Sequence, residues 1–495
     1  MAPDQTDSRV DLAWETLLDL EADDGPLVER LEHALRDAVS TGRLPAGAAL
    51  PASRRLAESL GVSRWAVTET YGRLVAEGVL EARVGSGTRV PSSARPVAPR
   101  RRPATRSAAR PGAVPGATAP SGTLPPTAPR PGHDLRPGVP DLRHVPRDAW
   151  VRATREALAA ASNDDLAGAP AAGHPAARTT VAAHLRRARL VDAPDTAVVL
   201  TRGATDATAR LAAALHAAGH RHLLVEDPSW PVLRDVARRA GLEPVPVPVD
   251  AGGVDVDALV AASARTGARV ALLTPAHQFP TGVPLSGERR EQVLAWARSV
   301  DGLVVEDDYD AEFRYDRRPV AALQRLDPER VVLVGSVSKT LSPAVGVGWV
   351  VLPVAWRAAF ADVPGGGPSV LDQLTFARLV AGGGYDRHLR AARGRYRRRH
   401  DALAAALDEV LPQVRLTGLA AGLHVLAHLP ASAPDAAEVV RAAARLDVGL
   451  VDLRRYQCRP AATSRALVLG YGNLADARLA AAVARLAACA GPAGA

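Results

Sequence analysis

Lysine is all but missing from this chain. Among the 61 Lys and Arg of its 495 residues, Lys339 alone is lysine. Arginine replaces lysine well as a surface charge or phosphate ligand, but it stays protonated and forms no imine with an aldehyde at neutral pH. A composition that excludes lysine everywhere else marks position 339 as one that needs an amine. Cysteine is nearly as scarce. Cys458 and Cys489 are too few for a disulfide framework, which fits a reducing, cytoplasmic setting. No uninterrupted apolar run reaches the ~18 residues a membrane span needs. Met1 to Val10 carries Asp4 and Asp7 and no apolar stretch, so no secretory leader is expected. Acidic residues are absent between Glu81 and Asp134.

That acid-free stretch contains a break in the chain's organisation. Residues 91–133 are rich in Pro, Ala, Arg, Ser and Gly, lack apolar periodicity and hold seven arginines. Such a segment buries too little apolar surface to fold and reads as an extended linker. It separates a small unit, 25–90, from a large one, 134–495, and residues 1–24 read as an N-terminal extension. The large unit divides again, into a larger part over about 150–365 and a smaller part over about 366–495.

In the small unit, Leu27, Leu31, Leu35 and Val39 recur every four residues and give one apolar helix face. A short helix is expected over Ser53–Leu60, a turn at Gly61, and a third helix capped by Ser63. Gly78 stops it, and two short strands meet at the turn Gly85-Ser86-Gly87. Two helices around a glycine turn form a helix-turn-helix, whose last helix enters the major groove. Ser63, Arg64 and Thr68 lie on its exposed start, with Trp65 beside them. Ser53 and Arg54 open the preceding helix, where backbone amides suit a phosphate. The run LPAGAALPASRRLAESLGVSRWAVTETYGRLVAEGVLEARVGSGTRV, 44–90, resembles the winged helix-turn-helix of the GntR family. The resemblance implies contact with double-stranded operator DNA by Ser53, Arg54, Ser63, Arg64, Thr68, Ser86 and Gly87. Trp65 departs from it, standing where the family has a small polar residue.

Beyond residue 134 apolar strands and helices alternate, with strands expected at 198–201, 222–226, 269–274, 303–307 and 331–335. This pattern implies an α/β architecture with a mostly parallel sheet. A small sheet is expected around 423–428 and 466–470, in an α+β C-terminal part. Polar residues collect after successive strands. Lys339 lies in Ser336-Val337-Ser338-Lys339-Thr340, just after a strand. Asp307 ends another, with Asp308 as the neighbouring alternative and Tyr309 beyond. Trp230 follows a third. Gly203-Ala204-Thr205 opens a helix after a fourth and is a seat for phosphate. An amine, a carboxylate, a ring and a phosphate turn are what pyridoxal phosphate requires. No metal site is expected.

The segments LRPGVPDLRHVP (135–146), VEDPSWP (225–231), TPAHQFPTG (274–282), EDDYDAEFRY (306–315), SVSKTLSP (336–343) and LGYGNL (469–474) resemble fold-type I aminotransferases. The whole chain resembles the MocR subgroup of GntR regulators. The resemblance implies Lys339 as the imine residue, Asp307 at the pyridine nitrogen, Tyr309 at the phenolic oxygen, Trp230 over the ring, and His277 and Thr281 near its face. It also implies Arg465 as the holder of an effector carboxylate. Three positions depart from the pattern: Gly346 stands where an arginine serves the cofactor phosphate, Arg202 where a serine precedes the phosphate turn, and Gly168 where a tyrosine reaches a partner subunit. Arg202 is expected to replace the cation lost at 346. The expected protein is a homodimeric transcriptional regulator that senses pyridoxal phosphate or an amine reacting with it. An active aminotransferase and a cofactor-free dimerisation scaffold are the alternatives.

Overall fold

Apolar spacing builds the first unit. In the computed structural model, which describes residues 14, 18, 20, 26–77, 79–83, 87–91, 131–315 and 321–491, helix α1 spans Leu27–Ser40 and buries Leu31, Ala34, Leu35 and Ala38. Helix α2, Ser53–Leu60, ends at Gly61, whose φ of 64° favours glycine. Helix α3, Arg64–Ala76, begins at Ser63, whose hydroxyl accepts from Ala66 N at 3.2 Å. Strands β1, Glu81–Arg83, and β2, Gly87–Arg89, pair antiparallel, and Ala49 adds a bridge to Arg89. Leu31, Leu35, Leu56, Val67, Leu74, Leu80 and Val90 close one core. The three helices and the wing thus follow the sequence pattern. Gly78, Gly85 and Ser86 lie outside the described residues, as do nearly all of 1–24 and 92–130 of the expected linker.

The chain divides into two compact units, Met1–Gly116 and Ala117–Ala495. The second holds a sheet of eight strands: β3 Val198–Thr201, β4 His222–Asp227, β5 Glu243–Asp250, β6 Gly253–Val254, β7 Val270–Leu273, β8 Leu303–Asp308, β9 Val331–Ser336 and β10 Gly348–Val351. Their order is β3-β10-β9-β8-β7-β4-β5-β6. β10 runs antiparallel to both neighbours, β6 antiparallel to β5, and the remaining pairs are parallel. Side chains alternate between two buried faces. Val305, Val332 and Val334 pack with the helix Ala204–Ala217, whereas Val304 packs with Val256–Thr266 and Gly287–Ser299.

Five strands lie where the apolar runs place them; β5, β6 and β10 add to them. β5 reads Glu-Pro-Val-Pro-Val-Pro-Val-Asp, and its prolines argue against a strand by composition. They fall on every second residue, so the missing amides all face one way. Val245 and Val247 keep their amides for the ladder with β4, and over 243–248 the other side pairs with no described strand.

The smaller part centres on an antiparallel sheet, β11 Arg415–Thr417, β12 His424–His428, β13 Val451–Asp452 and β14 Ala466–Gly470, in the order β11-β12-β14-β13. The long helix Gly384–Val410 leads into it. His133–Asp134 pairs parallel with Val448–Gly449, so the folded unit starts slightly before the expected linker end at 133.

Candidate functional site

Strand alternation puts the two aspartates at the end of β8 on opposite faces. Asp307 shares the face of Val305, and Asp308 shares that of Val304 and Glu306. Asp308 accepts from Arg189 Nε at 2.6 Å, and Glu306 lies 3.8 Å from the same guanidinium, so Asp308 is occupied structurally. Asp307 is 8% exposed, and its Oδ1 is buried without a hydrogen-bond partner. Burial pushes its carboxyl up to about 7, against the pull of Lys339 and with the push of Asp310. Burial also lowers the Lys339 ammonium, opposed by Asp307 and Asp310.

Lys339 Nζ donates to Gly138 O at 2.5 Å and lies 5.8 Å from the centre of the Trp230 ring. Trp230 stacks at 6.0 Å on Tyr456 and meets Phe279 edge-on at 5.2 Å, which fixes its plane. Tyr309 Oη lies 3.0 Å from His277 Nδ1, and burial with Asp310 and Asp307 holds its phenol well above the usual range. His277 Nδ1 is 2.9 Å from Asp310 Oδ2. Gly203, with φ 121°, turns the chain out of β3 into the helix Ala204–Ala217, and a Cβ there would lie 3.7 Å from Ser338 Oγ. Ser336 Oγ accepts from Ser338 N at 3.4 Å. Lysine, orphaned carboxylate, ring, phenol and phosphate turn therefore gather at the C-terminal ends of β3, β4, β8 and β9.

Other expected residues stand differently. Thr281 donates to Gln278 Oε1 at 2.7 Å and helps hold the loop after β7. Thr205 and Arg202 are exposed, and the Arg202 guanidinium lies 3.8 Å from Asp206. Arg465 is not brought to this group. It is exposed, its Nε donates to Ala433 O at 3.4 Å, and it precedes β14 in phase with Leu467 and Leu469. Ala466 and Val468, of the other phase, face Phe279 and Tyr456. The alternation of β14 thus sets Arg465 on the opposite side from Ala466 and Val468. Gly168 is exposed after the helix Asn163–Ala167.

Two buried residues escaped the sequence reading. Glu226 accepts from Thr274 Oγ1 at 2.5 Å and Thr274 N at 3.1 Å, and burial pushes it up to about 7. Gln278 Nε2 donates to Pro228 O at 2.8 Å and Phe279 O at 2.7 Å, tying the loop that carries Trp230 to the loop that carries His277. Glu226, just after the apolar run 223–225, and Gln278, beside Phe279, were the available signal.

In the first unit, Ser63, Arg64, Trp65 and Thr68 are exposed at the start of α3, with Trp65 at 69%. Arg54 is exposed on α2, 3.1 Å from Glu58, and Ser53 is half-buried beside it. Gly87 is exposed at the start of β2.

A winged helix-turn-helix and an aminotransferase-type α/β unit on one chain define a two-part protein, a DNA reader joined to a small-molecule fold. Residues 27–90 match the model of bacterial regulatory proteins of the gntR family, and 134–466 match aminotransferase class I and II. The chain is 31% identical to the HTH-type pyridoxine biosynthesis transcriptional regulator PdxR of Corynebacterium glutamicum, over 80% of this chain and 82% of that one. It is 32% identical to the probable rhizopine catabolism regulatory protein MocR of Rhizobium meliloti, over 79% and 78%. The fold matches LysN, an α-aminoadipate aminotransferase from Thermus thermophilus solved with N-(5'-phosphopyridoxyl)-L-leucine, at TM-score 0.64 and 25% identity, over 72% of this chain and 92% of that one. An archaeal alanine:glyoxylate aminotransferase matches in fold at TM-score 0.66 and 23% identity, over 72% and 90%. The chain belongs to the MocR-type GntR regulators, with a GntR DNA-binding region and a fold-type I aminotransferase-like domain. Among the described residues no helix is long and apolar enough to cross a membrane.

The residues present fit pyridoxal phosphate at its ring. Asp307 Oδ1 lacks a partner, as a carboxylate awaiting a pyridinium N–H would, and Lys339 lies beside the Trp230 ring. Gly203 and Ser338, which adjoin a helix start, leave a place suited to a phosphate, and Gly346, with φ 61°, offers no cation.

Proposed function

We propose that this chain is a DNA-binding transcriptional regulator whose aminotransferase-like domain holds pyridoxal phosphate on Lys339 and responds to it or to an amino compound. The observation that carries this reading is the half-buried Lys339 amine beside a partnerless buried carboxylate, on a chain whose other unit is a winged helix-turn-helix. Lys339 would be the covalent seat. Asp307 would face the pyridine nitrogen, Trp230 the ring face and Tyr309 the phenolic oxygen. Gly203, Ala204, Thr205, Ser336 and Ser338 would surround the phosphate, with Arg202 as the nearby cation. When bound, pyridoxal phosphate supplies an electrophilic carbon for amines and a ring that withdraws electrons. A free Lys339 amine would lie among Asp307, Asp310 and Gly138 O and hold a proton there, whereas Lys339 carrying the cofactor would not present that ammonium. That local charge change would bias the arrangement of DNA-binding units in a homodimer.

Titration of the purified protein with pyridoxal phosphate, read by visible absorbance and by operator binding, tests this. Saturable absorbance that vanishes in Lys339→Ala, with operator affinity changing in the parent alone, is the expected outcome. Absorbance without any change in operator binding would sink the sensing role. Steady release of a keto acid from an amino donor would favour an enzyme instead.

A further inference from the structure

Beside the lysine site three polar side chains converge, of which Asp310 also acts on Lys339. His277, Asp310 and His424 are 2%, 2% and 3% exposed. They come from three separate segments: the loop after β7, the chain just past β8, and the start of β12 in the smaller sheet. One ligand-capable atom of each lies within 4.8 Å of the other two. The histidine ring centres are 5.2 Å apart. Such a convergence is more than one hydrogen bond requires. His277 Nδ1 and Asp310 satisfy each other, but His424 Nε2 is buried with no hydrogen-bond partner. A buried polar nitrogen left unpaired costs roughly 1–3 kcal/mol, so its presence calls for a partner from outside the protein.

The Gly422 backbone packs against the group, since a Cβ there would lie 2.4 Å from both Asp310 Oδ2 and His277 Cε1. His277 Nδ1 and the Asp310 oxygens, 2.9 and 3.1 Å apart, are at hydrogen-bond distance, slightly inside the ~3.3 Å between neighbouring ligands of a tetrahedral ion with bonds of about 2.0 Å. Water alone would satisfy a nitrogen, but it gives no reason for two imidazoles and a carboxylate to converge.

We propose that His277, Asp310 and His424 form a site for a divalent transition metal, with Zn2+ as the fitting ion. Two imidazole nitrogens and one carboxylate oxygen are borderline-hard ligands that suit zinc, and three protein ligands leave one position open. The ion clamps the loop after β7 and the end of β8 to the smaller sheet. It also takes up the His277 nitrogen that Tyr309 now approaches, and so bears on the orientation of that phenol.

The test uses the untagged, full-length protein without added cofactor, so it does not depend on the lysine site. The protein is stripped with a chelator, loaded with Zn2+, dialysed and assayed for bound metal. Equimolar zinc is expected in the parent and in the surface control His33→Gln, with loss in Asp310→Asn and in His424→Gln. Zinc that dialyses away from the parent, or stays in both folded variants, overturns the site. Should the variants fail to fold, Co2+ loading of the parent decides. Strong visible bands of a low-symmetry, tetrahedral ion are expected. The weak spectrum of hydrated octahedral Co2+ overturns the proposal.

Discussion

Asp307 is costly to the protein without a cofactor. Its folded carboxyl is pushed up to about 7 by burial, whereas an unfolded aspartate titrates near ~3.9. Between these values the folded state binds the extra proton, so stability falls as pH rises through this window. In cofactor-free protein the parent should lose more stability than Asp307→Asn between pH 5 and pH 8, with a ceiling of roughly 3 kcal/mol. Thermal melts of both proteins across that range check this; parallel curves would show that Asp307 is already ionised. Arg202 is the second test at this scale. Its exposed pairing with Asp206 is worth no more than ~1 kcal/mol, so the side chain can leave it for a phosphate. Arg202→Ala should weaken pyridoxal phosphate binding about tenfold, ~1.4 kcal/mol. Unchanged affinity by absorbance titration would leave Ser338 and the helix start as the whole phosphate seat. Lys339 was legible because nothing else in the chain was lysine. Asp307 and Asp308 were separable only once β8 had an alternation, and the side that Arg465 takes needed that of β14.

Short elements were legible where glycine and capping residues punctuate them. The range of α2 and the Ser63 cap of α3 follow the sequence directly, since local chemistry sets both. Ser63→Ala removes the acceptor for Ala66 N and should lower the stability of the N-terminal unit by about 1 kcal/mol. Denaturant unfolding followed by circular dichroism measures this, and operator binding should weaken with it. Long-range pairing was harder to read. β10 is four residues long and buried between β9 and the distant β3, so no local period announces it. Glu226 and Gln278 join two loops that only the assembled sheet brings together.

At the scale of the molecule, the two units have separate cores. Pyridoxal phosphate should therefore raise the unfolding transition of the larger unit and leave that of the smaller one in place. At a hundredfold excess over Kd the gain is about 2.7 kcal/mol. Calorimetry of the full chain checks it, and equal shifts of both transitions would show the units to be coupled in stability. The two-part plan itself was legible from the acid-free, proline-rich stretch between periodic regions.

The alternating prolines of β5 bear on how the molecule behaves in company. An open strand border with a full row of amides is a template on which a strand of another molecule can grow. Pro244, Pro246 and Pro248 remove the outward donors along that border while Val245 and Val247 hold the inner ladder. A foreign strand meets acceptors without donors and gains no register. A protein that must stay dispersed while it searches DNA is in this way guarded against self-templated aggregation at the rim of its largest sheet.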